Sequence, residues 1–156
     1  MTFSIVGLCE KTKMAGVAIT TSSIAVGSRC PWVRSKVGAV TTQNVTDPSI
    51  GKDVLDLLQE GHSSDEAIKI TLKSRKFIEY RQVAVVDING NTASFTGKNI
   101  LGNHAVAEGK NCIAAGNLLK KETLAETMIK SFENNQFMHL ADRLLIALKD
   151  GIDHGG

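Results

Sequence analysis

The sequence predicts an α+β fold in which helices are layered on antiparallel sheets. Segments rich in apolar and β-branched residues open the chain, and helical periodicity replaces them between residues 54 and 72. Strand-like segments return over residues 81–96, and two further helical patterns close the chain. The order is strands, two helices, strands, two helices, which differs from the β–α–β alternation of a parallel sheet. The 156 residues suffice for one domain, over residues 1–156, but not comfortably for two.

The first half of the chain contains the clearest strand and helix signals. Strands are expected over residues 2–9, 16–21, 24–27 and 37–43, the first two forming a hairpin. Pro48 and Gly51 mark a turn, and a helix follows from about Val54 to a cap at Gly61. Ser63 and Glu66 have the spacing of a capping box and predict the start of a second helix.

In the second half, strands are expected over residues 81–88, 92–96 and 112–115. Asn89-Gly90 predicts a type I′ hairpin turn between the first two of these strands. Leu124, Met128 and Phe132 recur at helical spacing, and a similar pattern begins at Leu140. These patterns predict the two closing helices.

Composition excludes several classes of function. The net charge is +2, the only basic cluster is short, and one Trp and one Tyr supply little stacking surface for nucleic acid. No apolar segment approaches the roughly 20 residues of a membrane span, and no secretory signal is evident. The three cysteines are widely spaced, which favours reduced thiols and a cytoplasmic location. The histidines and cysteines lack metal-ligand spacing, so neither a metal nor a cofactor is expected.

Thr2 is the best candidate catalytic residue. Methionine ahead of a small residue is readily removed in cells, and the mature chain would then begin at Thr2. Such a residue carries a hydroxyl nucleophile beside a free α-amine, whose ordinary pKa of about 7.7–8.0 suits a general base at neutral pH. The strand predicted to follow Thr2 fits this chemistry, although many unrelated chains also begin with Met-Thr.

Asn117 and the cysteines provide the other chemical candidates. The Asn117 amide follows a predicted strand and could donate to a developing oxyanion, or it could cap the next helix. Cys9, Cys30 or Cys112 could act in a thiol-dependent enzyme, but no base is readable near any of them.

Several segments together resemble the Ntn-hydrolase-like family known as domain of unknown function 1028. The segments that carry this resemblance are TFSIVG at 2–7, AVGSRCPWVRSKVGAVTTQ at 25–43, DPSIGKDVLDLLQEGHSSDEA at 47–67, RQVAVVDINGNTASFTG at 81–97, GNLL at 116–119 and LADRLLIALKDG at 140–151. The resemblance implies a four-layer αββα sandwich of two antiparallel sheets with outer helices. It also implies that Thr2 occupies the position of an N-terminal nucleophile.

The resemblance further implies a site built at the ends of the strands. Its substrate-binding candidates are Ser22, Ser23, Thr42, Gln43, Arg81 and His104, with Asn117 beside the catalytic Thr2. Gln82, next to Arg81, is also expected to line the site. For each of them, a turn, cap or strand-end hydrogen bond is an equally good interpretation. The sequence departs from the family at residues 102–104, which read Gly-Asn-His and lack the usual aromatic residue. Relatives also usually continue beyond the position of Gly156, so we expect either a naturally short chain or a fragment of a longer product, with a C-terminal strand missing. An exposed sheet edge would favour a homo-oligomer or a second polypeptide that completes the sheet.

Two functions follow as hypotheses. The first is an N-terminal-nucleophile amidohydrolase that cleaves a small or peptide-like amide through an acyl-enzyme on Thr2. The second is a non-catalytic scaffold of the same fold that binds a metabolite or a partner subunit.

Overall fold

The computed structural model describes residues 1–156 and contains eight strands and four α-helices. The strands are β1 Thr2–Leu8, β2 Ala15–Thr21, β3 Pro31–Arg34, β4 Gly38–Asn44, β5 Arg81–Asp87, β6 Thr92–Thr96, β7 Ala105–Gly109 and β8 Cys112–Asn117. The helices are α1 Pro48–Gln59, α2 Ser64–Lys73, α3 Leu124–Asn134 and α4 Leu140–Gly155. None of the helices is both long and apolar enough to cross a bilayer.

The strands form two antiparallel sheets of four strands each, and the α+β prediction is therefore confirmed. Sheet 1 has the order β2-β1-β8-β7, and sheet 2 has the order β3-β4-β5-β6. Helices α3 and α4 pack on sheet 1, whereas α1 and α2 pack on sheet 2. The inner faces of the two sheets meet in a third apolar cluster that includes Val6, Ala39, Val86 and Ile113. The layers are thus helices, sheet, sheet, helices.

The central strands are buried on both faces, and their residues alternate between an outer helix layer and the layer between the sheets. In β1, Phe3 and Ile5 pack under α3 and α4, while Val6 and Leu8 face sheet 2. Because side chains alternate strictly along a strand, Thr2 and Ser4 share the inter-sheet face with Val6. This alternation determines which polar residues near the strand ends lie close to Thr2.

Several local predictions about helices and turns are confirmed by the structure. Ser63 and Glu66 form the capping box at the start of α2. Gly61 has a φ of 99°, as a residue just beyond a helix end often does. Helix α1, however, starts at Pro48 rather than near Val54, because Asp47 caps it and proline is well suited to the first turn.

Three strand and turn predictions are wrong or incomplete. Residues 24–27 form a turn and a short 3-10 helix instead of a strand, with Ala25 at a φ of 54° and Ile24 fully in solvent. Asn89 does not adopt positive φ, so the β5–β6 turn is not type I′. The carboxylate of Asp87 instead accepts hydrogen bonds from the backbone N–H groups of Asn89 and Asn91, at 2.8 and 2.9 Å. The strands β3 and β7 were not predicted.

Candidate functional site

Thr2 begins a central strand of sheet 1 and lies between two neighbours. Its Cα partners are Thr21 at the end of β2 and Asn117 at the end of β8. Ser22 N donates to Met1 O, which makes Met1 and Ser22 a hydrogen-bonded pair and makes Thr2 and Thr21 a non-hydrogen-bonded pair. Side chains approach most closely in such pairs. Accordingly, the Thr2 and Thr21 Oγ1 atoms lie 2.8 Å apart.

The other side of Thr2 faces β8. Leu8 N donates to Asn111 O, and the ladder repeats every two residues, so Thr2 and Asn117 form a hydrogen-bonded pair. The backbone nitrogen of Thr2 therefore points toward the Asn117 carbonyl. The Thr2 and Asn117 side chains project from the same face of sheet 1, where cross-strand Cβ atoms are separated by about 5 Å. An Asn117 amide is thus adjacent to the Thr2 hydroxyl.

Beyond Thr2, the layer between the sheets changes from apolar to polar. A chain of buried side chains crosses it: Ser4 Oγ donates to Gln43 Oε1 at 2.8 Å, and Gln43 Nε2 donates to Gln82 Oε1 at 2.8 Å. Gln82 Nε2 donates to Gly116 O at 3.2 Å, and Asn117 Nδ2 donates to Gln82 Oε1 at 3.4 Å. All four side chains are at most 2% exposed. We call these residues the inter-sheet amide network.

One backbone carbonyl sets the orientation of the whole network. Gly116 O only accepts, so Gln82 must direct its Nε2 toward Gly116 and its Oε1 away from it. Gln43 and Asn117 must then both present their NH₂ groups to Gln82 Oε1. Consequently the Asn117 side chain presents its nitrogen, with a second N–H left over, at the Thr2 end of the sheet. A donor held in this way is what an oxyanion site requires.

The structure brings some of the predicted site residues to Thr2 and separates others from it. Asn117 lies beside Thr2. Gln43 is connected to Asn117 only through Gln82, whose Oε1 accepts hydrogen bonds from both. Asn117 is not a helix cap, because α3 begins seven residues later, at Leu124. Thr42 alternates with Gln43 and therefore faces the helix layer, where its Oγ1 donates to Asp47 O at 3.4 Å.

The remaining predicted residues lie at the same end of the sandwich without contacting the Thr2 hydroxyl. Ser22 Oγ accepts from the Met1 amine at 3.2 Å, and Ser23 Oγ accepts from Arg29 Nη2 at 2.8 Å. Arg81 donates from Nη1 to Val45 O, and its buried Nε has no partner. His104 is exposed, and its ring Nδ1 lies 3.3 Å from Gly102 O.

Three polar residues at this end were not identified from the sequence. Thr21 is the nearest hydroxyl to Thr2, and Ser4 starts the inter-sheet amide network. Arg29 connects the loops of the two sheets, because its guanidinium donates to Ser23 Oγ and, at 2.8 Å, to Thr46 Oγ1. Strand alternation from Thr2 would have indicated Ser4, whereas nothing in the sequence pairs Arg29 with Thr46.

The cysteines do not form a second catalytic centre at this end. All three are free. Cys112 faces α3, and burial raises the pKa of its thiol to about 12, so it is protonated at neutral pH. Cys30 is buried next to Thr46 Oγ1, at 3.5 Å. Cys9 lies past the far end of β1. No group of three His, Cys, Asp or Glu side chains is arranged to hold a metal ion.

Two cavities in the structure lie away from Thr2. One of about 720 Å³ lies between the β1–β2 turn, β2 and the start of α4, and another of about 450 Å³ lies past the end of β1. Neither of these cavities has Thr2 or Asn117 in its lining.

The architecture defines an αββα sandwich with a threonine at the start of a central inner strand. Over residues 2–156 the chain matches the family of unknown function DUF1028, and it belongs to that family. It is also similar to the protein SPO2555 of Silicibacter pomeroyi, of the same family, whose crystal structure superposes with a TM-score of 0.94 at 28% identity. That match covers 99% of this chain and 69% of the other. A comparison with curated proteins gave no match.

Proposed function

We propose that this protein is an N-terminal-nucleophile hydrolase that cleaves the C–N bond of a small or peptide-like amide through an acyl-enzyme on Thr2. The observation that carries the proposal is the placement of the Thr2 hydroxyl beside the Asn117 amide. That amide is oriented as a donor by the inter-sheet amide network. Removal of Met1 would supply the missing base, because it frees the α-amine of Thr2 on the same residue as the nucleophile.

In the proposed reaction, Thr2 Oγ1 attacks the substrate carbonyl carbon while the Thr2 amine takes the hydroxyl proton. The oxyanion that forms accepts a hydrogen bond from Asn117 Nδ2. The ammonium returns its proton to the departing nitrogen as the C–N bond breaks, which leaves an ester on Thr2. Water, activated by the same amine, then hydrolyses the ester to a carboxylic acid and regenerates Thr2.

Thr21 would tune this nucleophile. Its Oγ1 is 2.8 Å from Thr2 Oγ1 and 3.2 Å from Met1 O, an acceptor only. While Met1 is present, the Thr21 hydrogen has an acceptor in the Met1 carbonyl. Without Met1, Thr21 is free to donate to Thr2 Oγ1 or to a substrate oxygen. Loss of Met1 would therefore change both the base and the hydrogen bonding of the nucleophile.

Contacts of Met1 favour a second candidate, a non-catalytic scaffold that binds a metabolite or a partner subunit. The Met1 carbonyl accepts from Ser22 N at 3.2 Å as well as from Thr21, and its side chain packs against the core under α3 and α4. A residue held in this way could be a permanent part of sheet 1. The proposed setting in either case is the cytoplasm, supported by three free thiols. A homo-oligomer or a second polypeptide along a sheet edge is part of the same proposal.

The two candidates differ in the mass of the native protein and in the effect of Thr2→Ala. We expect the protein purified from its own cells to lack Met1, and Thr2→Ala to abolish its cellular function while Thr2→Ser retains part of it. Blocking methionine aminopeptidase should reproduce the Thr2→Ala loss. Retention of Met1 in the native protein, or full function of Thr2→Ala, would reject the hydrolase and favour the scaffold.

A further inference from the structure

A polar cavity lies at the opposite end of sheet 1 from Thr2. The turn after β1, the β7–β8 turn, the end of α3 and the start of α4 enclose a volume of about 450 Å³. Because β1 is seven residues long and rises about 3.4 Å per residue, this cavity is about 24 Å from the Thr2 hydroxyl. Nothing in the proposed chemistry of Thr2 uses it.

Arg143 on α4 lines this cavity, and it is a buried cation without a counter-ion. It is only 6% exposed. Its Nε and Nη2 donate to Phe132 O at 3.3 and 3.1 Å, and the guanidinium lies 3.8 Å from the centroid of the Phe132 ring. None of the ion pairs in the structure includes Arg143. Burial lowers the pKa of Arg143, but a guanidinium still stays charged.

The geometry of these hydrogen bonds leaves one edge of the guanidinium free. The Nε–Nη2 edge is directed at Phe132 O. Nη1 makes no hydrogen bond and is not enclosed by protein, so Nη1 and the second hydrogen of Nη2 remain for a ligand. This end of the guanidinium presents two parallel N–H donors, the fork that binds a carboxylate in bidentate fashion.

The other charged groups around the cavity favour a single negative charge. Lys110 is neutralised by Glu10, with Nζ and Oε2 at 3.0 Å. Glu133 accepts from the backbone N–H of Lys110 at 2.8 Å, and Lys11 makes no ion pair. Together with Arg143, the lining carries three cations and two carboxylates, a net charge of +1. A monoanion restores neutrality, whereas a phosphate or sulfate dianion would leave the cavity with a net charge of −1.

We propose that this cavity binds a small organic carboxylate, held by the free fork of Arg143 beside the Cys9 thiol. Cys9 lines the same cavity and is partly exposed. A hydrogen bond with Thr12 lowers the pKa of the Cys9 thiol, and Arg143 acts in the same direction. The alkylation rate of the Cys9 thiol therefore reports whether a ligand occupies the site.

The first test needs no variant. N-acetylglycine should slow the alkylation of Cys9 by iodoacetamide at least severalfold at saturation, because its carboxylate occupies the Arg143 fork. N-acetylglycinamide has the same shape without the charge and should have no effect at the same concentration. Cys9→Ser should remove the label, which assigns it to Cys9. Equal effects of the acid and the amide, or no effect of either, would overturn the proposal.

The second test measures the contribution of Arg143. An anionic methanethiosulfonate should modify Cys9 faster than a cationic one, and Arg143→Met should reduce the ratio of the two rates at least about tenfold. Lys149→Met removes the same charge from an exposed position of α4, and should change the ratio less than about twofold.

Arg143→Lys keeps the positive charge but removes the two parallel N–H donors. It provides a second test if Arg143→Met does not fold. It should keep most of the rate ratio and lose protection by N-acetylglycine. Full protection in Arg143→Lys, or an unchanged rate ratio in folded Arg143→Met, would contradict the assignment. Sulfate at equal ionic strength should protect Cys9 less than N-acetylglycine does, and stronger protection by sulfate would refute the monoanion argument.

Discussion

Replacing Gln82 by leucine should strongly destabilise the protein, because Gln82 is the centre of the inter-sheet amide network. The change conserves most of the volume but deprives the Gln43 Nε2 and Asn117 Nδ2 donors of their acceptor. Gly116 O loses the Gln82 donor but keeps its place in the β7–β8 ladder. Each buried group left unsatisfied costs about 1–3 kcal/mol. The two orphaned donors together cost about 2–6 kcal/mol, and burial of the leucine side chain offsets only part of that cost.

The free energy of unfolding is measured by urea titration followed by circular dichroism. Gln136→Leu is the matched control, since it makes the same chemical change at an exposed glutamine and should stay within about 0.5 kcal/mol of the parent. The double variant Gln43→Leu/Gln82→Leu should lose less than the sum of the single changes, because each removes a group that the other leaves unsatisfied. A loss below about 1 kcal/mol for Gln82→Leu would refute the reasoning.

Three further predictions concern the reactive groups. Asn117→Ala should slow acylation of Thr2 by a β-lactone about 10²–10³-fold, in line with the loss of one oxyanion donor, and stopped-time mass spectrometry measures it; a rate within threefold of the parent would remove Asn117 from the site. The acylation rate of the Met1-free protein should rise with pH and then level off, because only the neutral α-amine accepts the hydroxyl proton; a flat profile between pH 6 and 9 would exclude that amine as the base. Cys112 should resist iodoacetamide at pH 8 in the folded protein, since a pKa of about 12 leaves about one thiol in 10⁴ ionised, and appearance of the label without urea would disprove its burial.

Much of the fold could be predicted because local sequence and tertiary structure agree. The strands β1 and β5 are buried on both faces, and the apolar segments within them indicate that burial. The helices carry one apolar face each, and Ser63 with Glu66 caps α2 as the spacing indicates. These features depend on residues that are near one another in the chain.

The strands that were missed depend on partners distant in sequence. The strand β3 begins with Pro31, a residue that interrupts most strands but is tolerated at the start of an edge strand, where its nitrogen needs no partner. The strand β7 is short and rich in alanine, and only its pairing with β8 makes it a strand. The sequence predicts a strand over residues 24–27 because Ile24 and Val26 are β-branched, but both residues lie in a loop.

The positions of Thr2 and Asn117 at strand ends could be predicted from the sequence, but the hydrogen bonds that connect Asn117 to Gln82 and Gln43 could not. Thr2 and Asn117 follow from position and residue type. Strand alternation, applied to the neighbours Thr42 and Gln43, would have shown that only one of them faces the inter-sheet layer. The link from Gln43 through Gln82 to Asn117 joins β4, β5 and β8 across two sheets, and no local pattern records such a contact.

The most direct test of the proposed hydrolase is to locate the adduct of a β-lactone electrophile on the Met1-free protein. We predict one acyl group, on the hydroxyl of the N-terminal Thr2, identified by fragmentation of the first peptide. It should be absent from Thr2→Ala and retained in Thr20→Ala, whose altered side chain lies on the opposite face of the neighbouring strand β2. An adduct on any other residue, or equal labelling of Thr2→Ala, would contradict the assignment of Thr2 as the nucleophile.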